Sequence, residues 1–72
     1  MYLAHVNFNG RSTPIWTDLK TAMQLKQLEA DELRSGEHRR QEFLTWTRHH
    51  SDRKVWWNGS IGGKIYVTMT KN

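Results

Sequence analysis

Apolar and polar positions alternate over Tyr2–Phe8, with Tyr2, Ala4, Val6 and Phe8 on one side and Leu3, His5 and Asn7 on the other. A period of two with aromatic and β-branched content predicts a half-buried strand. Asn9-Gly10 tolerates positive φ and ends that strand in a turn. Residues 11–16 can return as a short second strand. Pro14 would confine it to a sheet edge, because proline has no N–H to donate. The period then lengthens to 3.6. Leu19, Ala22, Met23, Ala30 and Leu33 gather on one helical face, Leu25 widens it and Leu28 points away. Lys26 falls inside the apolar stripe, where its stem must pack while its amine reaches water. Thr17 as cap with Asp18 at the first helical position is the preferred start, Thr13 with Pro14 the alternative. Gly36 supplies the stop signal.

In the second half, Thr45-Trp46-Thr47 favours a strand, with a helix over residues 37–49 as the alternative. Residues 49–52 read as a turn and residues 54–57 as a short strand. Asn58-Gly59 supplies the hairpin signal, and Gly62-Gly63 suggests a bulge or a wider loop. Residues 64–71 form the last strand, with Ile65, Val67 and Met69 opposite Tyr66, Thr68 and Thr70. The expectation is an α+β fold with residues 1–72 as a single compact domain. Its order is β-α-β-β-β, with one helix packed on one face of a mostly antiparallel sheet.

One helix covers only one side of a sheet. With Ile65, Val67 and Met69 turned to the helix, the other face is expected to carry Phe43, Trp56 and Tyr66 among threonines, with Lys54 and Lys64 at its margin. Trp16, Trp46 and Trp57 are assigned to the core, where each buries about 150–250 Å². Trp56 cannot share a face with its neighbour Trp57.

Composition sharpens this picture. The chain has 72 residues and no cysteine, and a domain of about 60 residues buries only about 60% of the surface its unfolded chain exposes. Disulfides, thiolate zinc sites and a cysteine nucleophile are all excluded, which fits a reducing compartment. No apolar run approaches the roughly 20 residues of a spanning helix, and no basic start leads into an apolar core as in a secretory signal. A cytoplasmic protein with no membrane partner is expected.

The formal net charge is +4 and the pI about 9.9. Residues 34–54 concentrate it: Arg34, Arg39, Arg40, Arg48, Arg53 and Lys54 stand against Glu37, Glu42 and Asp52, beside His38, His49 and His50. The guanidinium fork binds phosphate or carboxylate bidentately. A basic stretch beside aromatic rings is the footprint of a nucleic-acid binder, although a charge of this size also suits any small soluble domain.

The more specific motifs fail on inspection. Before Lys64, the phosphate-loop pattern needs a glycine where Asn58 stands, and after it a Ser or Thr where Ile65 stands. Gly59 and Gly62 match the spacing of the nucleotide-clamping loop of KH domains, but that loop joins helices and this one joins strands. Adjacent His49 and His50 project to opposite faces of a strand, so with Asp52 they make a poor metal site. No serine is placed beside a base and an orienting acid. No catalytic residue, metal or cofactor is assigned.

The expectation is a small, basic, non-enzymatic nucleic-acid-binding protein, for DNA or RNA. Arg34, Arg39, Arg40, Arg48, Arg53, Lys54 and Lys64 would meet phosphates while Trp56 and Tyr66 stack on bases. The rival is a compact phage-type inhibitor or regulator that binds a host protein, including a nucleic-acid-handling or defence complex. A homodimer through the open sheet face or a sheet edge would supply burial that a small core lacks.

Overall fold

The computed structural model describes residues 1–34 and 42–71. Arg39, Arg40, His38 and the stop assigned to Gly36 lie outside the described residues. The elements are β1 (Tyr2–Phe8), β2 (Arg11–Thr17), α1 (Leu19–Leu33), β3 (Thr45–His50), β4 (Val55–Ile61) and β5 (Lys64–Lys71). All pairings are antiparallel, in the order β2-β1-β5-β4-β3. The class is α+β, with one helix on one face of an antiparallel sheet. The return strand over residues 11–16 is a full partner of β1, so the order reads β-β-α-β-β-β.

Asn9 and Gly10 both have positive φ and close a two-residue turn that pairs Phe8 with Arg11 and hence Leu3 with Trp16. Pro14 sits opposite His5 on the edge strand β2, as its missing donor requires. The sheet has a seam. β1 meets β5 only through Tyr2 with Lys71 and Leu3 with Thr70, and α1 packs across this junction against both strands.

Asp18, one residue later than preferred, caps α1: its carboxylate accepts the Thr21 N–H at 3.2 Å. Hydrogen bonding from the Thr21 side chain, and then from its backbone N–H, holds the Asp18 carboxyl below its ordinary value. The buried face of the helix ends in a row at four-residue spacing, Ala22, Lys26, Ala30 and Arg34. The two alanines let the helix approach the sheet, and the two long cations lie between and beyond them. The Lys26 amine meets Glu29 at 3.0 Å instead of open water. Arg34 takes the core position beyond Ala30, and Leu33, expected inside, is exposed. Met69 is the largest fully buried side chain, with Ala4 and Ala22 against it. Val67, Leu44 and Ala30 form a second cluster.

The turn between β4 and β5 differs from the expected one. β4 runs straight through Asn58-Gly59, and Gly62-Gly63, both at positive φ, make the hairpin. Gly59 is needed for space. A Cβ there would lie 2.9 Å from Val67 Cγ2, 3.1 Å from Leu44 Cδ1 and 3.1 Å from Trp46 Cη2. The irregularity comes next in β5. Gly59 pairs with Val67 and Ser60 with Ile65, so β5 carries one extra residue, Tyr66, between these two register positions. A one-residue slip reverses which face each side chain takes.

Candidate functional site

The bulge at Tyr66 redraws the open face. Tyr66 packs with Ala30, Leu44 and Val67 on the helix side, beneath the Arg34 guanidinium at 5.8 Å from its ring centroid. The Lys64 amine lies 5.1 Å from the same ring. Tyr66 and Lys64 therefore leave the expected stacking surface, and Ile65, assigned to the core, is 56% exposed on the other face. Phe43 also departs. The Gln27 amide donates to Glu42 O at 2.8 Å and accepts from Leu44 N at 2.9 Å, which holds residues 42–44 beside the helix, outside β3. Phe43, 78% exposed, thus borders a groove of about 500 Å³ between α1 and β3, lined also by Lys20, Met23, Leu28, Leu44 and Trp46.

What the open face carries instead is a row across all five strands. Trp16 pairs with Leu3, Leu3 with Thr70, Thr70 with Trp56, and Trp56 with His49. Directly opposed residues share a face, and Met69 fixes the helix side one residue away from Thr70. Trp16, expected in the core, is 45% exposed here, because the two-residue turn sets it opposite Leu3. The Trp56 ring stacks on His49 with centroids 5.4 Å apart and planes 13° from parallel. The Lys54 amine lies 5.4 Å from the Trp56 centroid, within cation–π range. The Thr68 hydroxyl donates to Asn58 Oδ1 at 3.1 Å, and the Asn58 amide nitrogen lies 3.1 Å from His49 Nε2. This chain of contacts fixes the imidazole that braces Trp56.

Charge is distributed unevenly about this face. None of the five strands contains an Asp or a Glu; the acids among the described residues lie in α1 and the connections. At the Trp56 end of the row, Arg53, Lys54 and Lys71 line one shallow pocket with Ser51 and Asp52. The other expected cations among the described residues lie elsewhere. Arg34 is 3% exposed and meets Glu42 at 3.4 Å. Among the described residues its Nε and Nη2 have no hydrogen-bond partner, so the Glu42 contact is an ion pair without hydrogen-bond geometry. Arg48 pairs with Trp57 in register and so points to the helix side of edge strand β3. Of the expected set, Arg53, Lys54 and Trp56 come together; Arg34, Arg48, Lys64 and Tyr66 do not join them.

Three residues of the site escaped sequence reasoning: Trp16, His49 and Lys71. The first was accessible, since a two-residue turn at Asn9-Gly10 already places Trp16 opposite Leu3. Among the described residues no three His, Asp or Glu side chains gather as metal ligands, and no helix is long and apolar enough to cross a membrane. No protein-family model, curated protein or solved structure matches the chain.

Proposed function

We propose that the open sheet face binds single-stranded nucleic acid without catalysis, Trp56 and Trp16 stacking on bases while Arg53 and Lys54, with Lys71 reaching the same pocket from the helix side at the sheet's end, meet phosphates. The observation that carries this reading is a face with two tryptophans, no strand carboxylate and a cationic end. Aromatic faces accept any base, and each stacked base is worth about 1–3 kcal/mol. Threonine, asparagine and histidine groups around the row offer donors and acceptors to unpaired base edges. An open sheet face suits splayed, unpaired bases.

The test is tryptophan quenching and anisotropy with labelled oligonucleotides. Trp56→Ala should weaken binding about 5- to 150-fold, the equivalent of one stacked base. With three cations engaged, log Kobs should fall with log salt at a slope of about −2. An absence of binding at about 20 mM salt, or full affinity in Trp56→Ala, overturns the reading.

A second reading, a regulator that binds another protein, draws on one observation. Leu28, 64% exposed, and Phe43 flank the apolar groove beside α1, and exposed aromatic surface is enriched at interface hot spots. Phe43→Ala separates the two readings, since it should leave oligonucleotide affinity unchanged.

A further inference from the structure

The two edges of the sheet are not equivalent. At the β2 edge, Phe8 and Arg11 flank a two-residue turn and form a hydrogen-bonded pair, which makes His5 and Pro14 a non-hydrogen-bonded one. The Pro14 nitrogen therefore points outward and interrupts the donors a further strand would need. β3 carries no such device: its sequence Thr-Trp-Thr-Arg-His-His contains no proline, glycine or lysine, and among the described residues its outer side has no strand partner.

The direction of the free backbone groups can be read from the β3–β4 turn. Ser51 N donates to Lys54 O at 2.9 Å, continuing the register that sets His50 opposite Val55. Hydrogen-bonded and non-hydrogen-bonded pairs alternate, so Thr45, Thr47 and His49 turn their N–H and C=O groups toward β4. Trp46, Arg48 and His50 turn theirs outward.

We infer that β3 pairs with β3 of a second copy, antiparallel about a two-fold axis at Thr47, to give one continuous ten-stranded sheet. An isologous contact must set each outward residue against an outward residue, which leaves few registers. One centred on Arg48 opposes two guanidinium groups. One centred on Trp46 keeps a single outward pair within β3, because Arg48 would need the backbone of Leu44, whose N–H the Gln27 amide already holds; the register centred on Thr47 keeps two and meets Leu44 only at its outer end, opposite His50. The register centred on Thr47 sets Trp46 against Arg48 of the second copy, and Arg48 against its Trp46. Both pairs lie on the helix side, where a guanidinium covers an indole. On the open face it opposes Thr47 to Thr47 and His49 to Thr45, with no like charges directly opposed. Phe43 of each copy comes level with the other's turn over residues 51–54, which covers the groove rim. The dimer needs no nucleic acid, and it doubles the open face whatever that face binds.

Light scattering and sedimentation from about 1 µM to about 1 mM should show a monomer–dimer equilibrium. Arg48→Pro removes an outward N–H, as Pro14 does in β2, without touching the β3–β4 ladder, and should raise the dissociation constant at least about tenfold. A second readout uses the absence of cysteine. Thr47→Cys places two thiols across a non-hydrogen-bonded pair with Cα atoms about 4.5 Å apart, inside the disulfide range of about 4.4–6.8 Å. It should form a covalent dimer under mild oxidation much faster than Thr45→Cys, whose mate is His49. A parent chain that stays monomeric at about 1 mM, or equal cross-linking of the two cysteine variants, overturns the proposal.

Discussion

A methyl group added at Gly59 has to enter a space already occupied from three directions. The Val67 Cγ2 atom would lie 2.9 Å from it, closer than real Cβ contacts allow, and Leu44 and Trp46 atoms would each lie 3.1 Å away. Leu44 and Trp46 meet it with the ends of longer side chains, which can shift by a few tenths of an ångström. Val67 is β-branched, buried and held in β5 opposite Gly59, so its methyl moves only with its backbone or through an unfavourable rotamer. Overpacking of this kind costs about 1–3 kcal/mol. The loss of glycine's freedom in the unfolded chain offsets about 0.4–1 kcal/mol. Gly59→Ala should therefore destabilise the fold by about 0.5–2 kcal/mol, with a fall in Tm of about 4–8 °C per kcal/mol in a domain this small. Urea denaturation followed by tryptophan fluorescence reads the change. The stronger check is a double-mutant cycle with Val67→Ala, which removes the obstructing methyl. In that background the penalty of Gly59→Ala should fall by about 1 kcal/mol. A Gly59→Ala protein as stable as the parent, or a penalty that persists undiminished without the Val67 methyls, refutes the packing argument.

Two further predictions concern charged groups. Asp18→Ala should lower Tm at pH 7, because the cap that accepts the Thr21 N–H is lost. Since the folded Asp18 value is depressed, its contribution is fully present above the unfolded value of about 3.9 and disappears as pH falls through the folded value; the gap between parent and variant in a pH series of melts should close there. At the buried lysine, Lys26→Met keeps the stem and removes the amine, so it should cost less than about 1 kcal/mol or stabilise. Glu29→Ala instead strands the ammonium and should cost about 1–3 kcal/mol. Equal losses in the two variants by chemical denaturation would refute that asymmetry.

Much of the architecture was legible. Alternation located β1 and β5, the 3.6-residue spacing located α1, and Asn9-Gly10 located the first hairpin because nothing else competes for those residues. The β4–β5 hairpin was misplaced because Asn58-Gly59 and Gly62-Gly63 both tolerate positive φ. Contacts from Val67, Leu44 and Trp46 reserve Gly59 for packing, and no local pattern reports them. The same limit explains Tyr66. Strict alternation along residues 64–71 put it outside, and a one-residue shift in register turned it, with Lys64, toward the helix. Phe43 moved because the Gln27 side chain captures its flanking backbone, a contact fifteen and seventeen residues away in sequence. Arg34 is more instructive. Its place at the end of the row Ala22, Lys26, Ala30 was visible in the spacing, but a charge count treats every arginine as available to a ligand.

Toward the segment that leads into β3 the amide of Gln27 grips peptide groups, while its nitrogen also donates to Asp31 Oδ1 on the helix. Substitution at position 43, exposed between the core residue Leu44 and the Arg34 partner Glu42, therefore leaves both of its bonds to the connecting segment in place. The stretch leading into β3 is an adjustable lip, able to accept different side chains beside the groove while its path stays anchored to the helix. Variation in whatever touches that lip can be matched there, one residue at a time, without reopening the layer beneath.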